Sequence, residues 1–188
     1  IVSIMAGTPT AYIEARMPAA RVVRVMPNLC AVAGMSMTGL AKGAAASNVD
    51  MSFIQSLFNK IGRTIIIEEA RMNALTAVSG SGPGFLFDLI KAIPRADWQH
   101  FSEHEFVPRL SRAAQQVGFS PEQSLLLAQT TAAGRFALLE KTRSSPDILC
   151  LRVSSKGGTT EAGLKALKSS VENLELAVKA ALLRAEEL

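Results

Sequence analysis

The 188-residue sequence predicts an α/β segment followed by an all-helical one, with helix predominating over the chain as a whole. Three observations predict it. Strand-like and helix-like stretches alternate up to Ile67. From Glu68 onward everything periodic has helical spacing. The chain also holds 28 Ala against ten aromatic residues. Ala has the best helix propensity and lets helix axes approach closely, and a thin core of that kind is often completed by a second subunit.

Taken in order, Ile1-Val2-Ser3-Ile4-Met5-Ala6-Gly7 reads as a buried strand ending at a Gly turn. A buried strand needs neighbours on both sides for its N–H and C=O groups. The expectation is therefore a fragment lacking the front of an α/β domain, in preference to an edge strand at a natural N-terminus. Tyr12 to Ala20 is a short helix limited by Pro18, and Arg21 to Met26 is a strand stopped by Pro27-Asn28. Gly34 to Leu40 is a further strand. Asp50 is placed to cap a helix from Met51 to Ile61, closed by Gly62, and Thr64 to Ile67 is a β-branched strand. Glu68 to Val78 is a helix with acids in its first turn, broken by Ser79-Gly80-Ser81-Gly82-Pro83-Gly84. A helix then runs from about Pro83 to Ile93. Ser120-Pro121-Glu122-Gln123 is a capping box for a helix reaching Lys141. Ser145-Pro146-Asp147 opens a short helix, and Thr160–Lys168 and Ser170–Leu188 are the last two.

Composition argues against several classes. Twenty Lys+Arg against 16 Asp+Glu leave a net charge of +4, with no basic block of the kind that grips nucleic acid. No apolar run reaches the roughly 18 residues needed to span a bilayer. The stretch from Leu125 to Leu139 is interrupted by Gln129, Thr130, Thr131 and Arg135. No secretory signal is visible. Cys30 and Cys150 cannot form a disulfide framework and read as reduced thiols in a cytoplasmic protein.

Three stretches could carry chemistry. Val153-Ser154-Ser155-Lys156-Gly157-Gly158-Thr159-Thr160 leads into a helix, and its free N–H groups and hydroxyls suit a carboxylate or phosphate; an ordinary capped helix after a Gly turn reads equally well. Ser79 to Phe85 imitates a dinucleotide fingerprint, but its third Gly comes one residue early and it follows a helix rather than a strand. It is better read as a tight helix–helix turn, or as a small-residue corner pressed on a ligand or helix. His100-Phe101-Ser102-Glu103-His104 matches H-x-x-E-H, yet it sits between Pro94 and Pro108 with no acidic ligand downstream, and reads as a solvated insertion.

Arg24-Val25-Met26-Pro27-Asn28, Ala77-Val78-Ser79-Gly80-Ser81-Gly82-Pro83 and Ser154-Ser155-Lys156-Gly157-Gly158-Thr159-Thr160-Glu161-Ala162-Gly163-Leu164 occur in the order and approximate spacing of pyrroline-5-carboxylate reductase. The chain resembles the back two-thirds of that family, apart from about residues 94–108. The resemblance implies the rear of a Rossmann NAD(P)-binding domain over residues 1–67, then a helical dimerisation and substrate-binding domain over 68–188. It implies reduction of 1-pyrroline-5-carboxylate to L-proline by hydride transfer from NADPH or NADH, with the glycine-rich cofactor loop lying ahead of residue 1. It implies a homodimer or higher homo-oligomer acting on a small imino acid, with no metal, nucleic-acid or membrane partner. Carried over by motif, Ser155, Gly158, Thr159 and Thr160 cradle the substrate, and the Thr160 hydroxyl partners the imine nitrogen as the catalytic group. Ala6, Met26, Asn28 and Ser81 border the cofactor. The sequence departs from the family where Lys156 replaces Pro, Leu29-Cys30 replace Thr-Pro, and Phe85 replaces Tyr. These departures leave open a divergent or inactive homologue that serves as a dimerisation module or reduces another cyclic imine.

Overall fold

A computed structural model describes residues 1–188. Four strands form one mixed sheet in the order β1 (Val2–Ser3), β2 (Val23–Met26), β3 (Ser36–Lys42), β4 (Gly62–Ile66). β1 and β2 are parallel, β2 and β3 antiparallel, and β3 and β4 parallel. Helix α1 (Thr10–Arg16) connects β1 to β2, and α2 (Asn48–Phe58) connects β3 to β4. The expected buried strand at Ile1–Gly7 is corrected to a two-residue edge. With β2 as its one neighbour, it buries Ser3 and leaves Ile4 and Met5 exposed. The cap of α2 is Ser47 rather than Asp50. Asp50 stands three residues into a capping box, where Oδ2 accepts the Ser47 N–H at 2.8 Å while Ser47 Oγ accepts the Asp50 N–H at 3.1 Å.

The two faces of β3 divide the packing. Leu40 joins Val23, Val25, Met51 and Ile54 under α2, whereas Met37 and Ala41 point into the large helical core with Met72, Leu75 and Phe87. A Cβ on Gly39 would lie 2.0 Å from Leu75 Cδ2, so glycine is what lets Leu75 lie on the sheet. The apolar core therefore crosses the point near residue 67 where strands give way to helices. Glu69 reinforces the crossing: its carboxylate accepts the Thr10 N–H at 2.6 Å and the Thr10 hydroxyl, and pairs with buried Arg24 at 3.4 Å.

Beyond β4 come α3 (Met72–Leu75), α4 (Gly82–Ile90), α5 (Trp98–Phe101), α6 (Val107–Gln116), α7 (Pro121–Thr142), α8 (Pro146–Val153), α9 (Thr159–Leu167) and α10 (Leu174–Glu186). The Ser120 capping box opens α7 as expected. No helix is long and apolar enough to cross a membrane.

One expectation fails here. Ser79–Gly84 does not break the helix. Thr76–Gly80 is a single π turn between α3 and α4, and Ser81 keeps helical angles (φ −87°, ψ −25°). A π turn absorbs one extra residue without ending the helix. A second π turn at Ser102–Phe106 precedes Pro108 and joins α5 to α6. That stretch is largely solvated, with Pro94–Asp97, Gln99, His100, Glu103 and His104 exposed, and it is anchored by buried Ser102 and Phe106 and by the Trp98 indole, which donates to the carbonyls of Ile90 (3.0 Å) and Ile93 (2.9 Å). The His100 and His104 rings lie 4.4 Å apart, and no third His, Cys, Asp or Glu side chain converges on them.

Candidate active site

The π turn decides how the site is built. Pro83 has no N–H to give the carbonyl of Ser79, four residues before it. The Asn28 amide fills that need, donating to Ser79 O at 3.1 Å and to Ser79 Oγ at 3.3 Å. Ser79 Oγ in turn donates to Met37 O at 3.2 Å. Asn28 Oδ1 accepts the Cys30 N–H at 3.1 Å, and the Asn28 N–H is given to Ser36 Oγ. Both ends of the Asn28 side chain are thus committed inside the protein, tying the carboxyl end of β2 to the helix that carries Ser81.

Two residues further on, Ser81 is fully buried and meets α9. Its hydroxyl lies 3.1 Å from Thr159 Oγ1 and accepts the Thr160 hydroxyl at 3.1 Å. Glycine allows this approach. A Cβ on Gly84 would lie 2.7 Å from Thr160 Cγ2, and one on Gly163 would lie 2.4 Å from the Phe85 ring. The glycine-rich corner therefore presses on a neighbouring helix. Phe85 is fully buried and its ring edge ends against α9, so it serves here as a packing residue.

The turn before α9 is held from both sides. The Gly158 N–H returns to Ser155 O at 2.9 Å, and Gly157 occupies the left-handed region at φ +69°. The Gly157 N–H goes to Glu161 Oε2 at 2.5 Å, and Gly157 O accepts Arg184 Nε at 2.6 Å. That backbone contact, followed by Lys165, holds the Glu161 carboxyl below its usual range. The N–H groups of Thr159 and Thr160 make no hydrogen bond within the protein, as befits a helix N-terminus, and they lie beside the three hydroxyls. A Cβ on Gly158 would lie 2.2 Å from Ser155 Oγ, so that hydroxyl tucks into the space glycine leaves.

Among the residues singled out by sequence, the structure brings Ser81, Thr159, Thr160, Gly158 and Ser155 together. Asn28 reaches them through Ser79. Ala6 follows the carboxyl end of β1 and Met26 ends the parallel neighbour β2, but no hydrogen bond joins either to the cluster. Sequence reasoning quoted Ser79 and Glu161 within motifs without giving their side chains a role, and it missed Arg184. A Glu in the first turn of a helix was the readable signal for Glu161; Arg184 lies on a distant helix and gives none.

Residues 104–188 match the family profile described as pyrroline-5-carboxylate reductase dimerisation. Pyrroline-5-carboxylate reductase of Mycobacterium tuberculosis is 32% identical, with 100% of this chain aligned to 64% of that protein. The Methanosarcina acetivorans enzyme is 31% identical, covering 100% of this chain and 63% of its own length. This chain is similar to pyrroline-5-carboxylate reductases over its whole length. Pyrroline-5-carboxylate reductase 2 of Bacillus subtilis is 35% identical over 79% of this chain and 48% of its own. The chain thus spans about half to two thirds of the length of these curated relatives. Among solved structures, the Coxiella burnetii reductase superposes with a TM-score of 0.52 at 29% identity, covering 99% of this chain and 64% of that one. The Plasmodium falciparum reductase with NADP bound gives 0.51 at 26% identity, covering 100% and 70%.

Against the family pattern, the structure gives the Lys156 departure a physical meaning. Lys156 is the exposed second residue of the Ser155–Gly158 turn, with left-handed Gly157 third. Pro is favoured at that second position, and the Lys156 N–H makes no hydrogen bond that Pro would lose. Lys156→Pro is expected to stabilise the fold by about 0.4–1 kcal/mol through the unfolded chain. Thermal unfolding checks it, and a lowered midpoint would show that the turn does not accept the fixed φ.

Proposed function

We propose that the protein is an oxidoreductase that reduces 1-pyrroline-5-carboxylate to L-proline, the last step of proline biosynthesis, using NADPH or NADH. The observation that carries this reading is the Ser81–Thr159–Thr160 hydroxyl cluster at the N-terminus of α9, in a chain similar to these reductases. Each part of it suits a cyclic imino acid. The unused N–H groups of Thr159 and Thr160 and the partial positive charge of the helix end favour a carboxylate. With the Thr160 proton directed at Ser81, Thr160 Oγ1 presents lone pairs, the partner that a protonated ring nitrogen requires. Ser155 and Gly158 shape the turn that admits the substrate.

The cofactor residues fit the nicotinamide end of a dinucleotide. Ala6 and Met26 stand at the carboxyl ends of two parallel strands, where open α/β sheets bind ligands, and Ser81 lies on the helix that Asn28 anchors to that edge. The phosphates would depend on a glycine-rich turn outside these 188 residues. When bound, the cofactor supplies the hydride received by the C=N carbon. This chain's part is to hold the imine by its carboxylate and nitrogen so that one face of that carbon is presented. Asn28 contributes by fixing the backbone at the edge, since its own amide is already engaged. We further propose that residues 1–67 act as the rear of the cofactor domain, and residues 68–188 as the substrate and dimerisation domain through which two or more copies associate.

A second reading, reduction of another cyclic imine, rests on the departures from the family pattern at Lys156, Leu29-Cys30 and Phe85. Steady-state assays of the full-length protein with 1-pyrroline-5-carboxylate and with its six-membered homologue separate the two. Higher kcat/KM on the five-membered ring is expected. Turnover of the six-membered ring alone would overturn the proline assignment, and turnover of neither would leave the dimerisation module.

A further inference from the structure

The far end of the α4–α9 pair holds a polar contact that the site does not use. All nine residues of α4 are buried, and Asp88 is the one charged residue among them. Both of its oxygens are engaged: Oδ1 with Lys91 Nζ at 2.5 Å, and Oδ2 with the Ser169 hydroxyl at 2.9 Å. Ser169 closes α9. Lys168 and Ser169 stand consecutively in the left-handed region, at φ +49° and +52°, a conformation that residues with a Cβ adopt singly and seldom in pairs. Such a turn persists only where its surroundings over-determine it. Here Asp88 holds the Ser169 hydroxyl, and the Asn173 amide holds the last α9 carbonyl, Leu167 O, at 3.1 Å.

We propose that Asp88 is a positioning residue for the reaction: acting through Ser169, it fixes α9 along its axis so that Thr159 and Thr160 stay on Ser81. This rests on the reading of Thr160 as the residue that faces the imine nitrogen. α4 and α9 are then tied at both ends, by Ser81 to Thr159 and Thr160 and by Asp88 to Ser169. Between the ties, the glycine contacts of Gly84 on Thr160 and Gly163 on Phe85 are close but apolar. Apolar contacts resist separation of the helices better than sliding. A hydrogen bond to a fixed carboxylate sets the register, and an error of about 1 Å in register is enough to misplace a substrate partner.

The test uses Asp88→Leu, Asp88→Asn and Ser169→Ala in the full-length protein, with two readouts. In hydrogen exchange, Asp88→Leu and Ser169→Ala are expected to speed exchange of the α9 amides from Gly163 to Leu167 about tenfold, with α7 unchanged. In kinetics, both are expected to lower kcat/KM for the imino acid about fivefold, mainly through kcat, with cofactor KM within about twofold. Asp88→Asn keeps an oxygen for Ser169 and loses the pair with Lys91, so it should stay near wild type in both. Unchanged α9 exchange in Ser169→Ala would overturn the proposal. So would loosening shared equally with α7, or faster α9 exchange with no change in kcat/KM. A wild-type protein that reduces no imine would instead remove the catalytic reading, and the exchange result would then decide the clamp alone.

Discussion

Replacing Thr160 with Val is expected to lower kcat/KM for the imino acid by about 100-fold, the usual scale for removing one preorganised hydrogen-bonding group at a reacting centre. Val keeps the methyl group that packs against Gly84, so the α4–α9 contact survives, but buried Ser81 loses a hydrogen bond and stability should fall by about 1 kcal/mol. The loss should lie mainly in kcat, because the nitrogen it serves is the atom whose charge and geometry change during reduction. Thr160→Ser keeps the hydroxyl and should recover most of the activity. Steady-state kinetics of the full-length protein check this, and an unimpaired Val variant would move the nitrogen's partner to Ser81 or Thr159. The expectation follows from a chain of contacts rather than from one residue. Asn28 fixes Ser79, the π turn places Ser81, and Ser81 receives the Thr160 proton.

Replacing Arg135 with Met is expected to stabilise the protein by about 1–4 kcal/mol, the range found when buried ionic groups give way to apolar residues of similar volume. Arg135 lies on α7 with no exposed surface, and none of its three guanidine nitrogens has a hydrogen-bond partner. It lies against the Phe136 ring, with its guanidinium carbon 3.1 Å from the centroid, and close to the buried Cys30 thiol. Burial pulls the guanidinium down from its ordinary value to about 9 and pushes the thiol up to about 12. The pH dependence has a definite sign. A cation whose pKa is lowered by folding binds fewer protons in the folded state, so its penalty is full below about 9 and fades as pH rises towards the unfolded value. The advantage of the Met variant should therefore be largest at neutral pH and shrink above about pH 9. Chemical denaturation at pH 7 and pH 10 measures both points. A variant less stable than wild type at pH 7 would mean that the guanidinium contributes more through packing than its isolation costs.

Much of this molecule could be read from the sequence because local rules were obeyed locally. The strands at Val23–Met26 and Ser36–Lys42 follow from β-branched and small residues between turn signals, and the start of α7 follows from Ser120 and Gln123. The Ser-Ser-Lys-Gly-Gly-Thr-Thr turn declared itself by its glycines and hydroxyls, and it opens α9 as its pattern implies. The failures came where a distant residue settled a local choice. Glycine and proline at 80–84 ordinarily end a helix, but here Asn28 supplies the hydrogen bond that Pro83 cannot, and the helix continues through a π turn. The stretch between Pro94 and Pro108, read as a solvated insertion, does stay mostly exposed, and what the sequence did not reveal is its anchoring by Trp98 and Phe106.

The sequence by itself determined the alternation of strands and helices up to Ile67 and the helices beyond it, the capping box that starts α7, and the family motifs with their hydroxyl and glycine residues. These depend on neighbours within a few positions, whose propensities and hydrogen bonds are fixed by chain connectivity. Tertiary structure alone decided that Ser81 meets Thr160, that Asp88 meets Ser169, that Asn28 spends its amide on Ser79, and that Arg135 lies buried without a partner. Each of these joins residues far apart in the chain, and no periodicity encodes such a meeting. It arises when apolar faces pack and the polar groups caught between them must pair with whatever stands opposite.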